Sequence, residues 1–272
     1  MQRALSLRLE ELLSWFSDKG SALVAFSGGV DSTLLAKAAY ISLGKNAIAV
    51  TADSPSLPRE ELEEAKQLAA IIGIKHLVIR TDELENPDYV KNLPNRCYYC
   101  KKELFVKLKP LAEQMGIATI VDGTNVDDLK GHRPGALAEE EEGIRRPLAE
   151  LEFGKDEIRT LSKELGLPTA DKPSLACLSS RFAYGQMITL SGLSQVEKAE
   201  KFIKELTGVK QLRVRSHGDI ARIEVGRDER KMLFDEEIMD KIDAELKVLG
   251  FTYVTIELSG YSTGSMNKRF TH

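Results

Sequence analysis

Three cysteines are the residues whose type and spacing suggest the most specific chemistry. Cys97 and Cys100 are three positions apart, so both thiols lie on one face if Tyr98 begins a helix. With Cys177, three thiolates suit a [4Fe-4S] cluster that leaves one iron open to an extra sulfide. A zinc site, a redox pair and inert thiols are the alternatives. Zinc would want a fourth ligand, and no histidine has a suitable spacing to the cysteines.

A second chemical feature is the run Ser27-Gly28-Gly29-Val30-Asp31-Ser32-Thr33, which lies between an apolar segment and a helical pattern. Adjacent glycines let backbone N–H groups approach a ligand, and a helix N-terminus adds partial positive charge. The hydroxyls of Ser27, Ser32 and Thr33 add donors. The run lacks the Gly-Lys-Ser/Thr of a Walker A loop and the spacing of a dinucleotide fingerprint. It therefore predicts a phosphate-binding loop, with a tight capped turn as the alternative.

Two arginines alternate with apolar residues later in the chain. Arg213 and Arg215 flank Val214, so both guanidinium groups leave the same face if this segment is a strand. Two such groups can hold one phosphate bidentately. The same alternation is also typical of a solvated sheet face, so the pattern alone leaves both interpretations open.

Composition excludes several classes of protein. The chain has 272 residues, of which 42% are hydrophobic and 29% charged, and these values are typical of globular proteins rather than disordered ones. A formal net charge of -4 provides no overall attraction to nucleic acid. No apolar run approaches the ~18 residues of a membrane helix, and no signal region is evident. We expect a soluble cytoplasmic protein that binds neither nucleic acid nor membrane.

The elements that must position these residues alternate between strand and helix in the first part of the chain. Each helical pattern is long enough for the right-handed crossover that joins parallel strands. This order predicts an α/β domain with a doubly wound parallel sheet. Strands are expected at 21–26, 47–51, 76–79 and 118–121, and helices at 5–16, 31–43, 58–72 and 98–115.

The pattern changes after about residue 175, so we place one domain at 1–173 and a second at 174–272. The second domain is expected to be a small α+β unit with one antiparallel sheet covered by helices. The acidic run Glu139-Glu140-Glu141-Glu142, in the first domain, is expected to be a solvated helix face. The second domain's helices are expected at 193–206 and 229–249, and its strands at 211–216, 220–225 and 252–258.

The loop from Ser27 to Ser32 resembles the SGGxDS pyrophosphate-binding loop of the ATP pyrophosphatase (PP-loop) superfamily. Residues 121–128, with Gly-Thr-Asn followed by acids, are similar to the nucleotide and magnesium region after the fourth strand of that fold. Arg146-Pro147-Leu148, with Lys155 and Arg159, resembles the segment that closes the site. The resemblance implies that the first domain is an adenine nucleotide alpha hydrolase-like PP-loop domain. Such domains bind ATP and Mg²⁺ and transfer AMP to a carbonyl oxygen.

A narrower resemblance extends over nearly the whole chain. The block Ala176-Cys177-Leu178-Ser179-Ser180-Arg181, then Arg213-Val214-Arg215, then residues 219–224, is similar to the LarE-type sulfur transferases. That family makes the thiocarboxylates of the nickel-pincer nucleotide cofactor of lactate racemase. The resemblance implies that ATP adenylates a carboxylate of a pyridinium dicarboxylate mononucleotide and that sulfur then displaces AMP. In one branch, the cysteine that matches Cys177 gives up its own sulfur.

The resemblance also assigns residue roles. Arg213 and Arg215 are expected to bind the substrate phosphate, and Glu200 and Glu224 match acids near the second domain. Asp128 is chosen for magnesium over Asp127. The resemblance implies catalytic roles for Cys177, Asp31 and Arg181. Arg181 could orient a substrate carboxylate, or it could simply cap the following helix. ATP contacts are expected from Ser27, Gly28, Gly29, Asp31, Ser32, Thr33, Thr51, Gly123, Thr124 and Asn125.

The source of the sulfur has two interpretations. Sacrificial family members lack the cysteine pair, so Cys97 and Cys100 favour a cluster on Cys97, Cys100 and Cys177 that is fed by an external sulfide source. Sacrifice of Cys177 is the alternative. A tRNA-thiolating enzyme would use the same loop and cluster but needs a basic surface, which the net charge does not favour. A non-catalytic ATP- or cluster-sensing module is a further rival, and a homo-oligomer is expected.

Overall fold

The structure is a computed structural model that describes residues 2–130, 134–173 and 176–262, with side chains from Leu7 onward. The chain divides into two compact units. The first contains Met1–Glu83 and Asn95–Leu175, and the second contains Leu84–Pro94 and Ala176–His272. Residues 84–94 were predicted to lie in the first domain, whereas in the structure they cluster with the second unit. Among the described residues, no helix has the length and apolar character needed to cross a membrane.

Helices and strands alternate as far as the third strand, and helices predominate between the third and the fifth strand. In chain order, the elements are α1 Gln2–Ser17, β1 Ala22–Ala25, α2 Val30–Leu43, β2 Ala47–Asp53, α3 Arg59–Ile72, β3 Lys75–Arg80, α4 Pro87–Val90, α5 Arg96–Gln114, β4 Ile120–Val121, α6 Val126–Leu129, α7 Pro134–Glu141, α8 Pro147–Glu150, α9 Lys155–Glu164, α10 Leu190–Thr207, β5 Leu212–His217, β6 Ile220–Val225, α11 Glu236–Val248 and β7 Tyr253–Ile256.

The first unit contains a parallel sheet in the order β3-β2-β1-β4. Strand β1 is buried along its whole length, and its alternate side chains enter two different cores. Val24 packs on one face with Leu34 of α2 and Leu68 of α3, whereas Leu23 packs on the other with Phe105 of α5. Helices therefore cover both faces, which confirms the predicted doubly wound α/β fold.

The strand order places a switch point between β1 and β4. The chain leaves β1 towards β2 on one side and returns to β4 on the other, so the connections after β1 and β4 diverge. In open α/β sheets, a crevice for ligands lies outside the carboxyl ends of the strands at this point. Residues 26–33 and 122–125 follow these two strands, so both predicted nucleotide segments lie at this edge.

The second unit contains a smaller sheet in the order β5-β6-β7. Strands β5 and β6 are antiparallel, as expected for a hairpin, but β7 pairs with β6 in the parallel direction. The expectation of a purely antiparallel sheet was therefore wrong. A helix lies between β6 and β7 in the chain, and such a crossover returns the next strand in the parallel direction.

The long charged helix expected at 229–249 is interrupted. A 3-10 helix covers Arg227–Leu233, and α11 begins only at Glu236. Asp235 explains the break, because its backbone is extended and its side chain accepts a hydrogen bond from the N–H of Ile238 at 3.1 Å. An aspartate in this position is a strong helix N-cap.

Candidate active site

The loop between β1 and α2 is shaped by its two glycines. Gly28 has a φ of 70°, and a Cβ there would lie 3.4 Å from the Cα and Cβ of Ala65 on α3. Glycine is favoured here by the left-handed backbone, whereas a Cβ would only be in ordinary van der Waals contact with α3. Gly29 is the N-cap of α2 and has no side chain with which to cap the helix. The backbone donors at the helix start therefore face the switch point together with the positive end of the helix dipole.

Serine hydroxyls hold this loop in its curved form. Ser27 Oγ lies 3.1 Å from Ser32 Oγ, and Ser32 Oγ donates to the carbonyl of Gly29 at 3.2 Å. The side chain of Thr33 is fully buried, and its Oγ1 has no hydrogen-bond partner within the described part of the chain. Ser27 and Ser32 therefore shape the loop, whereas Thr33 lies beneath it in the core.

Asp31 connects three segments of the first unit. Its Oδ1 accepts a hydrogen bond from Asn125 Nδ2 at 3.0 Å, and its Oδ2 accepts one from Lys155 Nζ at 2.5 Å. Asn125 follows β4, and Lys155 is the first residue of α9. An acid, a lysine and an amide thus meet at the first turn of α2. Lys155 was noted in the sequence only as part of a similar segment, not as a partner of Asp31.

The turn after β4 lies directly against the start of α2. A Cβ on Gly123 would lie 3.0 Å from the backbone nitrogen of Ser32, so only glycine fits there without a shift. Thr124 donates through its N–H and its Oγ1 to Asp122 Oδ1, at 3.0 Å and 2.7 Å. The structure therefore brings together the two segments predicted to bind nucleotide, although they are separated by about 90 residues in the chain.

The predicted magnesium ligand Asp128 takes part in a capping box. Asn125 Oδ1 accepts hydrogen bonds from the N–H groups of Asp127 and Asp128, and Asp128 Oδ2 accepts one from the N–H of Asn125 at 3.3 Å. This reciprocal arrangement stabilises the start of α6. Asp127 instead accepts hydrogen bonds from Lys130 Nζ and from the N–H of Lys155. Both acids thus have structural contacts near Asp31.

A buried ionic network of Lys101, Asp122 and Glu139 lies next to the turn after β4. Lys101 Nζ on α5 contacts Asp122 Oδ2 at 2.6 Å and Glu139 Oε1 at 2.9 Å. Burial raises the pKa of Glu139, whereas for Asp122 the attraction of Lys101 outweighs burial and lowers the pKa. Glu139 is only 2% exposed, so the expectation that the acidic run is a solvated face was wrong at this residue. The run instead faces the lysines of α5, since Glu142 pairs with Lys109.

Thr51 lies at the end of β2 and reaches the neighbouring strand rather than open space. Its Oγ1 donates to the carbonyl of Phe26 at 2.6 Å and lies 2.8 Å from His76 Nε2. Because the hydroxyl has one proton, His76 supplies the proton of the second bond through its Nε2–H tautomer. Burial, followed by the charge of Lys66, lowers the pKa of His76 and favours its neutral form. Thr51 therefore fixes the end of β1 just before the loop.

Lys172 is a contact of the loop that sequence reasoning missed. Its Nζ donates to the carbonyl of Gly28 at 3.2 Å and pairs with Glu61 at 3.0 Å and Glu64 at 2.7 Å. Arg159 holds the backbone of this lysine by donating to the carbonyl of Lys172 at 2.9 Å. No motif marks a lysine in the irregular segment after α9, so the sequence contained no signal for this contact.

The three cysteines are thiols rather than disulfides. Cys97 and Cys100 lie on successive turns at the start of α5, with Cys97 exposed and Cys100 partly exposed. Cys177 belongs to the second unit, is partly exposed and precedes a 3-10 helix at Leu178–Arg181. Among the described residues, no three His, Cys, Asp or Glu side chains come together as metal ligands.

In the second unit, Arg181 is buried and bound entirely by protein groups. Its Nε and Nη2 contact the two oxygens of Glu200 at 2.8 Å and 2.9 Å, a bidentate pair. Its Nη1 donates to the carbonyls of Ala176 and Cys177 at 2.6 Å and 3.1 Å. Burial alone would lower the pKa of Arg181, but Glu200 outweighs it and raises the pKa. The guanidinium thus fixes the backbone that carries the Cys177 thiol.

The two arginines of β5 differ in their partners. Arg215 donates to Glu224 Oε2 at 2.9 Å and to the carbonyl of Ser180 at 3.0 Å. Arg213 donates to the carbonyl of Leu212 and lies over the ring of Tyr261, but within the described residues it has no carboxylate partner. Both arginines are buried, so the alternative of a solvated sheet face was wrong. Burial, and then the charge of Arg181, lower the pKa of Arg213, and the opposing charge of Glu200 does not outweigh them.

The fold and the loop define the class of this protein. A Ser-Gly-Gly-Val-Asp-Ser loop at the switch point of a parallel sheet, against a Gly-Thr-Asn turn, forms a PP-loop nucleotide-binding domain. Residues 21–92 match the family described as "Queuosine biosynthesis protein QueC". Within this class, the chain belongs to the LarE family. It is 37% identical to the pyridinium-3,5-bisthiocarboxylic acid mononucleotide synthase of Lactiplantibacillus plantarum, over 98% of this chain and 96% of the relative.

Two further relatives also match this chain over most of its length. The chain is 47% identical to the uncharacterized protein slr1717 of Synechocystis sp., over 98% of this chain and 99% of that protein. It is 33% identical to the uncharacterized protein MJ0830 of Methanocaldococcus jannaschii, over 88% of this chain and 90% of that protein. The predicted membership of a LarE-type branch of PP-loop enzymes is confirmed.

Proposed function

We propose that this protein is an ATP-dependent sulfur transferase that acts on a pyridinium dicarboxylate mononucleotide. In the proposed reaction, a substrate carboxylate oxygen attacks the α-phosphate of ATP, which forms an acyl-adenylate and releases pyrophosphate. Sulfide then attacks the acyl carbon, AMP leaves, and a thiocarboxylate results. The observation that supports the proposal is the close approach of Gly123 to the backbone of Ser32, which leaves little room for a Cβ and brings the two segments predicted to bind nucleotide next to each other.

The first unit supplies donors for the leaving pyrophosphate. The start of α2 offers backbone N–H groups, and Lys155 adds a positive charge beside Asp31. Such fixed donors stabilise charge that develops on phosphate oxygens, because they need no reorganisation during the reaction. We assign Mg²⁺ to the acidic side of this site, with Asp128 as its ligand. Carboxylate oxygens next to substrate phosphates suit that ion.

The second unit supplies a place for the phosphate of the substrate. Arg213 is a buried guanidinium with no acid partner among the described residues, and a substrate phosphate would provide the missing anion. Arg215 and Glu224 form a pair beside it in the sheet, and Arg181 and Glu200 hold the Cys177 segment. In this proposal, Arg213 makes the direct contact, and the two pairs position their surroundings.

We propose that the sulfur comes from a [4Fe-4S] cluster bound by Cys97, Cys100 and Cys177. Three thiols supply the ligand chemistry that such a group requires, and two of them lie on one helix face at its first turns, although the described residues do not bring three such ligands together. When bound, the cluster would supply a sulfide on its open iron from an external sulfide source. Sacrifice of Cys177 is the competing route, and its product would be a dehydroalanine at that position.

Product analysis tests the function. The wild-type protein, prepared anaerobically, is incubated with ATP, Mg²⁺, sulfide and a pyridinium-3,5-dicarboxylic acid mononucleotide, and pyrophosphate and thiocarboxylate are measured. We expect pyrophosphate release that depends on the substrate, followed by replacement of oxygen by sulfur in the product. The matched control is a mononucleotide in which amides replace both carboxylates. Equal pyrophosphate release with this control, or none with the dicarboxylate, would contradict the proposal.

A further inference from the structure

Lys172 pairs with two glutamates of α3, but these ion pairs alone do not explain why it also contacts Gly28. The side chain of Lys172 is 11% exposed, and it reaches past two glutamates of α3 to a backbone carbonyl of the loop. Ala65 of α3, one turn after Glu61, lies close to Gly28. The carbonyl of Gly28 therefore accepts a hydrogen bond from a lysine that is also paired with two acids of the same neighbouring helix.

A planar peptide transmits this contact to the next residue. The carbonyl of Gly28 and the N–H of Gly29 belong to one trans peptide group, so they point in opposite directions. Because glycine tolerates a wide range of backbone angles, the peptide group between Gly28 and Gly29 can rotate at little cost. A charged donor on the carbonyl thus selects one of its orientations and thereby sets the direction of the Gly29 N–H. In this structure, that N–H has only a long contact of 3.4 Å with Ser27 Oγ.

Lys172 is itself held from behind. Arg159 of α9 donates to the carbonyl of Ala170 at 2.6 Å and to that of Lys172 at 2.9 Å. The two hydrogen bonds from Arg159 stabilise the irregular segment that follows α9. They thereby hold Lys172 close to the loop. A lysine that only neutralised the charges of Glu61 and Glu64 would not need these additional hydrogen bonds.

We propose that Lys172 is a positioning residue for phosphate binding, which aims the Gly29 N–H at the pyrophosphate part of ATP by holding the Gly28 carbonyl. The inference rests on the proposed ATP-binding role of the loop. It concerns the phosphates, because the group that Lys172 orients is a backbone N–H donor in the loop predicted to bind phosphate. Loss of the lysine is therefore expected to affect ATP and pyrophosphate but not adenosine.

Calorimetric binding of adenosine, ATP and pyrophosphate to the full chain tests this. For Lys172→Met, we expect ATP and pyrophosphate to bind at least about tenfold more weakly, as for loss of a bond to a charged group. Adenosine should bind as in wild type, and Lys172→Arg should restore most of the phosphate affinity. The control is Lys66→Met, which removes an exposed lysine that pairs with Glu63 on α3.

The other outcomes separate the alternatives. Unchanged phosphate affinity in Lys172→Met, or equal weakening of adenosine and ATP, would overturn the proposal. If Lys172→Met does not fold, Arg159→Met is measured with the same criteria. Failure of wild type to bind ATP would instead contradict the proposed function.

Discussion

Asn125 donates from Nδ2 to Asp31 Oδ1 at 3.0 Å, while its Oδ1 caps the first turn of α6. The buried side-chain amide of Asn125 thus links the turn after β4 to the first turn of α2. An amide is suited to this position because it accepts on one side and donates on the other. A carboxylate of the same shape could keep the cap but not the bond to Asp31.

We therefore expect Asn125→Asp to weaken ATP binding strongly and, because the new carboxylate is buried beside Asp31, also to lower the free energy of unfolding. The substitution keeps the cap oxygens but places a second negative charge against Asp31, and the side chain of Asp31 would turn away. ATP affinity is measured by calorimetry and stability by denaturant unfolding. Asn86→Asp is the control, because Asn86 caps α4 in the same way. Unchanged ATP affinity would show that the Asn125–Asp31 bond has no part in the site.

Asp31→Ala and Ser32→Ala are expected to abolish conversion of ATP to AMP while the fold is retained. Each loses contacts at the phosphate loop worth ~1.5–3 kcal/mol without removing an apolar core side chain. Pyrophosphate release and thermal unfolding are measured together. Ser42→Ala provides a matched control on α2, because it removes a hydroxyl that only donates to the carbonyl of Leu13. Wild-type pyrophosphate release by both variants would count against the nucleotide assignment.

Arg213 and Arg181 should respond oppositely to replacement by methionine. Arg213→Met removes a buried cation without a described acid partner, so we expect unchanged or higher stability and a large loss of mononucleotide affinity. Arg181→Met leaves Glu200 buried without its cation, so the free energy of unfolding should fall by ~3–5 kcal/mol. Denaturant unfolding and substrate binding are measured for both. Equal destabilisation by the two substitutions would mean that Arg213 has a structural role.

The three cysteines should behave as a unit if they bind one cluster. Each single Cys→Ala variant is expected to lose iron and sulfide, because two thiolates rarely retain a cluster. Wild type should turn over repeatedly with sulfide and show an unchanged mass. If Cys177 is instead sacrificed, Cys97→Ala and Cys100→Ala should keep a single turnover. Intact-protein mass spectrometry then finds a loss of hydrogen sulfide at Cys177, which would exclude the cluster route.

Glu150 provides a prediction about pH. Burial acts to raise its pKa, but hydrogen bonds from Arg145, the N–H of Arg146 and Trp15 outweigh burial and lower the pKa from 4.5 to about 2. Because the folded pKa is depressed, the stabilisation is present above pH 4.5 and is lost as the pH falls towards 2. Glu150→Gln should lower the free energy of unfolding at neutral pH by about 1–2 kcal/mol, allowing for solvent screening.

Unfolding curves between neutral pH and pH 2 check this. The difference between wild type and Glu150→Gln should shrink as the pH falls through that window. Glu164→Gln, at the exposed end of α9, is the control and should leave the curve unchanged. A difference that stays constant with pH would mean that packing, rather than charge, accounts for the effect.

The doubly wound domain and the glycine-rich loop after β1 could both be predicted from the sequence, because both depend on local patterns. Apolar runs buried on both faces, helices long enough for crossovers, and a glycine pair before a helix are read within one segment. The positions of Ser27, Gly28, Gly29 and Asp31 followed from that segment alone. The resemblance at residues 176–181 and 213–215 similarly identified the family without any knowledge of contacts.

The contacts of charged residues with the loop, by contrast, become visible only in the folded chain. Lys155 and Lys172 reach Asp31 and Gly28 from positions more than 120 residues away. Arg213 and Arg215 look identical in the strand pattern, but an acid pairs with Arg215, whereas none does with Arg213 among its described neighbours. Charged side chains obtain their roles from long-range partners and desolvation, and neither quantity has a local signature in the sequence.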